Sequence, residues 1–135
     1  MEYKNVLTTC VYCGTGCNYY LEVLDGEIVG IVPCQEHPVN EGHVCIKGWN
    51  AHAFVNHPDR LKVPLIREGE GFREASWDEA LGLVAERFQA IKAAHGGDSF
   101  VVLTSAKCTN EENYLVQRFA RAVLGTNNVD HCARL

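Results

Sequence analysis

The feature that most constrains this chain is a group of closely spaced cysteines near its start, in the segment CVYCGTGC. The first three, Cys10, Cys13 and Cys17, are separated by two and three residues, and 27 residues lie between Cys17 and the fourth, Cys45. Three thiolates from one tight loop and a distant fourth can each bind a different iron of a [4Fe-4S] cluster. Gly14 and Gly16 are expected to supply the positive φ angles that such a loop needs. The spacing therefore predicts an iron-sulfur site.

Two alternatives stay open on spacing alone. Zinc modules usually pair two cysteine or histidine knuckles, and here the second half offers only Cys45, with His43 two residues before it. Cys34 follows a predicted hairpin and competes with Cys45 for the fourth ligand position. The histidines of the first part are expected to serve turns and hydrogen bonds rather than a metal; they are His37, His43, His52 and His57.

Composition narrows the function classes. The 135 residues are 47% hydrophobic and 21% charged, which is typical of a folded globular protein. The seven cysteines are an odd number and no export signal precedes them, so metal ligation is favoured over a disulfide framework. A formal net charge of −5 without a basic cluster argues against a nucleic-acid partner. No apolar run is long enough to span a membrane, and we expect a cytoplasmic location.

The fold class expected is α+β, with a small β-rich iron-sulfur domain followed by the opening α-β-α part of a larger α/β domain. The boundary is predicted between residues 1–64 and 65–135. In the first part, Asp25-Gly26 lies between two β-prone segments and predicts a type I′ hairpin whose second strand ends at Pro33.

In the second part, two helices and one strand are predicted. Ser76 and Thr109 each begin a capping box, and Gly96 and Gly125 are expected to end the two helices. The segment SFVVLT between them is typical of a buried parallel strand. The first helix has apolar residues recurring on one face: Trp77, Ala80, Leu81, Val84, Phe88 and Ile91.

Three segments carry a family resemblance: CVYCGTGC with HPVNEGHVCIKG, then RLKVPLIREGEGFREASWDEAL, then TNEENYLVQRFARAVLGTNNVDHCARL. Together they resemble the N-terminal segment of the alpha (catalytic) subunit of molybdenum- or tungsten-dependent formate dehydrogenases, in the molybdopterin oxidoreductase superfamily. The first segments are shared across the superfamily, and the last is similar to formate dehydrogenases in particular.

The resemblance implies cofactors and roles. The four motif cysteines would hold the cluster, and Lys47 would lie between cluster and pterin as an electron relay. The metal, molybdenum or tungsten, would be held by two molybdopterin guanine dinucleotides and by a selenocysteine or cysteine at position 136, directly after Leu135. We hypothesise that the chain is the segment before a selenocysteine codon, which the next codons of the gene would test.

Further pterin-contact candidates follow from the strand-to-helix turn and from the last segment. They are Lys47, Lys107, Asn110, Asn113, Asn128 and Arg134. Cys108 and Cys132 are expected to be structural thiols, and His131 has no assigned role.

The function implied is formate and carbon dioxide interconversion by the parent enzyme, with electrons passed to ferredoxin-like iron-sulfur subunits and from there to a hydrogenase or an NAD(P)-reducing subunit. The 135 residues alone are expected to be inactive. Nitrate reduction is the alternative activity within the superfamily. A stand-alone iron-sulfur electron carrier and a zinc-stabilised partner subunit are the alternatives from other classes.

Overall fold

A three-stranded antiparallel sheet forms the first part of the structure, a computed structural model that describes residues 1–132. Its strands are β1 (Tyr3–Thr9), β2 (Asn18–Leu24) and β3 (Glu27–Pro33), in that order across the sheet. Asp25 and Gly26 join β2 to β3 with φ angles of 48° and 89°, and a type I′ turn requires positive φ at both positions. The predicted hairpin is confirmed. Strand β1 was not predicted from the sequence. Its side chains are largely exposed on both faces, so buried and exposed positions do not alternate along it.

The core of this part lies on β2 and β3 and on the segments that flank them. A buried cluster is formed by Cys10, Tyr19, Ile31 and Ala51. Partly buried side chains pack against it, and they are Tyr12, Cys17, Leu21 and Val44. Two of the predicted cluster ligands, Cys10 and Cys17, therefore take part in the hydrophobic core, which anchors both ends of the loop between β1 and β2.

A hairpin and a long helix follow. A short helix, α1 (Ile46–Trp49), directly follows Cys45. Strands β4 (Leu65–Glu68) and β5 (Gly71–Glu74) then pair antiparallel, and α2 (Trp77–His95) begins after Ser76. The Ser76 hydroxyl accepts a hydrogen bond from the backbone N–H of Glu79 at 3.1 Å, which is the predicted N-cap. None of the residues of α2 is buried. Its apolar face is covered only in part within the described residues, where the Phe88 ring packs edge-on against Phe100 with ring centroids 5.3 Å apart.

Short elements follow α2. A 3₁₀ turn precedes β6 (Val102–Thr104), and α3 (Asn110–Phe119) continues through a π turn (Ala120–Leu124) that ends at Gly125, whose φ is 80°. The last strand, β7 (Val129–His131), pairs with β6 in a two-stranded sheet. The segment SFVVLT, predicted as a buried parallel strand, contributes only the three residues of β6 to a strand. The prediction of burial is wrong for the described residues, because Leu103 is 74% exposed.

The described residues divide into two compact units. The first contains Met1–Arg60 and Thr104–Tyr114 together with His131 and Cys132, and the second contains Leu61–Leu103 and Leu115–Asp130. The α+β class with a β-rich beginning is confirmed. The domain boundary predicted near residue 64 stays a prediction. Among residues 1–132, no helix has the length and apolar character needed to traverse a bilayer.

Candidate metal centre

The loop from Cys10 to Cys17, called here the cysteine loop, is closed by its own backbone. The N–H of Cys10 donates a hydrogen bond to the carbonyl oxygen of Cys17 at 2.7 Å. Gly16 has a φ of 75°, as predicted, but Gly14 is absent from the glycines with positive φ. The expectation for Gly14 is therefore wrong. A Cβ at this position would instead overlap the side-chain oxygen of Asn110, so a larger residue would displace that side chain.

Asn40 ties the segment before Cys45 to the end of the cysteine loop. The side-chain oxygen of Asn40 accepts the N–H of Asn18 at 2.8 Å, and its amide nitrogen donates to the Asn18 carbonyl at 3.1 Å. The carbonyl of Asn40 also accepts the N–H of His43 at 2.6 Å. Because Asn40 is 7% exposed, these bonds are largely shielded from water, and they fix the approach of the residues that lead to Cys45.

The four predicted ligands are close enough to influence one another electrostatically. Burial raises the pKa of the Cys17 thiol, and negative charge on Cys10, Cys13 and Cys45 raises it further. Cys17 is thus influenced by each of the other three predicted ligands. None of the four forms a disulfide.

Hydrogen bonds favour the thiolate form at two of the four positions. The side-chain hydroxyl of Thr15 lowers the pKa of the Cys13 thiol, and the backbone N–H of Thr15 and the charge of Lys47 act in the same direction. The backbone N–H of Gly48 lowers the pKa of Cys45, with smaller contributions from the N–H and ammonium of Lys47. Donors and a cation thus face sulfur atoms that would carry negative charge as metal ligands.

Cys34 has a different environment. It is buried, and its sulfur lies 4.0 Å from the hydroxyl oxygen of Tyr20. The hydrogen bond with Cys34 raises the pKa of Tyr20, whereas Cys34 is not among the charges that act on Cys13, Cys17 or Cys45. Within residues 1–132, no three His, Cys, Asp or Glu side chains are grouped as a site for a single metal ion.

The residues proposed for the strand-to-helix turn have defined partners. Asn110 donates from its amide nitrogen to the carbonyl oxygen of Gly14 at 2.9 Å. The amide nitrogen of Asn113 lies 3.2 Å from the Ser105 carbonyl and 3.1 Å from the Thr109 carbonyl. The side-chain oxygen of Asn113 is buried without a protein partner. The turn is thus held mainly by asparagine amides.

The same turn carries Lys107 and Cys108. Lys107 is exposed, and its backbone N–H donates to the Ser105 hydroxyl at 3.0 Å. Cys108 is partly buried. The Ser105 hydroxyl oxygen also lies 3.5 Å from the sulfur of Cys132.

Asn128 lies in the second compact unit, and Arg134 lies outside the described residues. The amide nitrogen of Asn128 donates to the carbonyl oxygens of Asp98 and Phe100, both at 3.2 Å. In this structure its side chain therefore holds the 3₁₀ turn that precedes β6.

Sequence reasoning did not identify Thr15 or the Asn18–Asn40 pair. Thr15 lies between Cys13 and Cys17, and its position two residues after a predicted ligand could have identified it. The pairing of Asn18 with Asn40 depends on a contact between segments 22 positions apart, for which no periodic pattern exists.

Comparison with known proteins gives two adjoining family matches. Residues 3–57 match the Molybdopterin oxidoreductase Fe4S4 domain, and residues 60–135 match Molybdopterin oxidoreductase. Both matched families are thus named for a molybdopterin, and the family matched by residues 3–57 is also named for an Fe4S4 cluster.

Curated relatives extend well beyond this chain. It is 53% identical over its whole length to an F420-dependent formate dehydrogenase 1 subunit alpha of Methanococcus maripaludis. It is 48% identical over its whole length to an F420-dependent formate dehydrogenase subunit alpha of Methanocaldococcus jannaschii. In each case the chain spans 19% of the relative.

A solved structure has the same fold. Acetylene hydratase from Pelobacter acetylenicus is similar with a TM-score of 0.73 and 29% identity, over 93% of this chain and 18% of that chain. The cysteine loop, the fold of the chain and the two adjoining family matches all point to the same family. The chain is a member of the molybdopterin oxidoreductase family.

Proposed function

We propose that this chain is part of the alpha subunit of a formate dehydrogenase and forms its iron-sulfur region and the start of its molybdopterin region. The identity of 53% and 48% to two formate dehydrogenase alpha subunits supports this reaction. The fold alone is weaker support, because it is shared with a hydratase at 29% identity. The last segment, GTNNVDHCARL, favours formate dehydrogenase over nitrate reductase.

The observation that carries the proposal is the four-cysteine motif inside the segment matched to the Fe4S4 domain. Cys10, Cys13, Cys17 and Cys45 are proposed as the ligands of a [4Fe-4S] cluster. The match favours a cluster over zinc, and the described residues contain no group of His, Cys, Asp or Glu side chains suited to a single metal ion. The separate environment of Cys34 supports Cys45 as the fourth ligand.

The protein groups around the site fit a bound cluster. N–H groups of Lys47 and Gly48 and the hydroxyl of Thr15 donate toward ligand sulfurs, and such hydrogen bonds help to set a cluster's potential. Buried Tyr19 and Ile31 exclude water from one side of the cysteine loop. Desolvation is the main reason that the pKa of Tyr19 is raised to about 12, so its ring stays uncharged.

Lys47 is proposed as the residue between cluster and pterin. It is exposed, and its ammonium group acts electrostatically on both Cys13 and Cys45. A cation at this position favours the electron-rich state of a cluster and can donate hydrogen bonds to an acceptor-rich cofactor. When bound, the cluster supplies one-electron transfer and the metal-pterin centre supplies the two-electron oxidation of formate.

The pterin contacts remain proposals that rest on the resemblance. Lys107 is the most available of them, because its side chain is exposed beside α3. The amides of Asn110, Asn113 and Asn128 already donate to backbone carbonyls. The two guanine dinucleotides, molybdenum or tungsten, a selenocysteine ligand and the cytoplasmic location also stay predictions.

The partners are proposed from the reaction. Formate and carbon dioxide are the substrates, and iron-sulfur electron-transfer subunits are the expected redox partners. The two relatives are named as F420-dependent, so coenzyme F420 joins NAD(P) and a hydrogenase among the acceptors to be tested.

The test uses the full-length protein that contains this chain, purified without oxygen. We expect about four iron and four labile sulfide per chain, formate-dependent reduction of a viologen dye, and no nitrate-dependent oxidation of that dye. Cys45→Ala is expected to lose the cluster's absorbance and EPR signal, whereas the matched control Cys34→Ala retains both. Wild-type protein without iron and sulfide would overturn the proposal, and nitrate turnover would favour the other reaction.

A further inference from the structure

Gly14 of the cysteine loop lies against the side chain of Asn110, which is distant in sequence. Its backbone does not have a positive φ, so an alanine would be tolerated by the backbone itself. An added Cβ would overlap the side-chain oxygen of Asn110 and lie 3.1 Å from its Cγ. The lack of a side chain at position 14 therefore makes room for Asn110.

The two residues also share a hydrogen bond. The amide nitrogen of Asn110 donates to the carbonyl oxygen of Gly14 at 2.9 Å, across 96 positions of sequence. Gly14 directly follows Cys13, so the bond fixes the peptide unit beside a proposed ligand. The side chain of the first residue of α3 is thereby bonded directly to the cysteine loop.

Asn110 is itself held firmly. The hydroxyl of Thr109 accepts the N–H of Glu112 at 3.2 Å, and the carboxylate of Glu112 accepts the N–H of Thr109 at 2.7 Å. Both partners of a capping box are thus satisfied. The amide of Asn113 adds bonds to the Ser105 and Thr109 carbonyls, so the turn that carries Asn110 is fixed on both sides.

We propose that Asn110 is a positioning residue for the iron-sulfur cluster, which holds the cysteine loop through Gly14 so that Cys13 keeps its place as a ligand. The inference rests on the proposed cluster. It gives Asn110, from the segment matched to Molybdopterin oxidoreductase, a role in the segment matched to the Fe4S4 domain. Loss of the bond lets the loop move, which changes the hydrogen bonds to the Cys13 sulfur and opens the cluster to water.

The test compares variants of the anaerobic full-length protein. Asn110→Ala is expected to lose iron to a chelator about five-fold faster than wild type, which is the factor that one net hydrogen bond provides. Its cluster is also expected to have a shifted midpoint potential in an EPR-monitored titration. Asn110→Gln keeps the amide donor and is expected to restore part of both properties. Glu111→Ala, on the same helical turn, is the control and is expected to match wild type.

Gly14→Ala provides an independent second arm. Its added methyl group displaces the Asn110 amide, so it is expected to speed iron loss as Asn110→Ala does. In the double variant the methyl group has room, and the two effects are expected to be less than additive. If the wild type contains a cluster, and Asn110→Ala has the same rate of iron loss and the same midpoint potential as the wild type, the proposal is overturned. Additive effects of the two substitutions would also overturn it. A wild type without a cluster would instead overturn the proposed function.

Discussion

The hydroxyl oxygen of Thr15 lies 3.3 Å from the sulfur of Cys13. A ligand thiolate can only accept hydrogen bonds, so with a cluster bound the Thr15 O–H is the donor. Such a bond stabilises the more negative, reduced cluster. We therefore expect Thr15→Val to make the midpoint potential more negative by about 40 mV, since a hydrogen bond contributes about 1 kcal/mol and about 59 mV corresponds to a tenfold change for one electron.

Thr15→Ser is the control for this substitution, because it keeps the hydroxyl and removes only a methyl group. Its potential, measured by EPR-monitored titration, is expected to stay near that of wild type. A potential that is unchanged in Thr15→Val would mean that the hydroxyl does not donate to the bound thiolate.

In the apoprotein, the thiols of Cys13, Cys17 and Cys45 are expected to react at different pH values. The pKa of Cys13 is lowered by the Thr15 hydroxyl and that of Cys45 by the Gly48 N–H, whereas burial raises the pKa of Cys17. As pH rises, a thiol with a lowered pKa reaches its reactive thiolate form first. Iodoacetamide labelling read by mass spectrometry should therefore reach its half-maximal rate at lower pH for Cys13 and Cys45 than for Cys17.

The Thr15→Val variant sharpens this measurement. Removing the hydroxyl should move the profile of Cys13 to higher pH and leave the profile of Cys45 in place. If Cys17 is labelled at the lowest pH in the wild-type apoprotein, the arrangement of donors around the sulfurs is wrong.

Local rules predicted the parts of the fold that local chemistry determines. Asp25-Gly26 gives the hairpin, and Ser76 and Thr109 begin helices, because each depends on residues within a few positions. The cysteine spacing predicted a sulfur site for the same reason. The role of Gly14 was missed because it depends on Asn110, which is remote in sequence. A pattern of glycines predicts a turn, but it does not predict which distant side chain will pack against a given glycine.

The capping box at the start of α3 makes a prediction about stability. Thr109→Ala removes the acceptor for the Glu112 N–H and is expected to lower the free energy of unfolding by about 1 kcal/mol. Urea denaturation followed by circular dichroism measures the effect. Thr109→Ser keeps the acceptor and serves as the matched control. An equal loss in both variants would assign the effect to the methyl group rather than to the cap.

Gly26 and Gly82 differ in backbone conformation, although both have room for a side chain. An added Cβ would meet no atom within 4 Å at either Gly26 or Gly82, so steric overlap is the same at both. Gly26 has a φ of 89° in the hairpin turn, and an L-residue there is strained by about 1 kcal/mol. Gly82 lies inside α2, where alanine is favoured over glycine by about 1 kcal/mol.

The same change is therefore expected to have opposite signs at the two sites. Gly26→Ala should lower the urea midpoint, and Gly82→Ala should raise it, with the wild-type chain between them. Because neither methyl group gains or loses a neighbour, the difference isolates the backbone contribution of each position. A shift in the same direction for both variants would show that the β2–β3 turn does not hold Gly26 at a positive φ in solution.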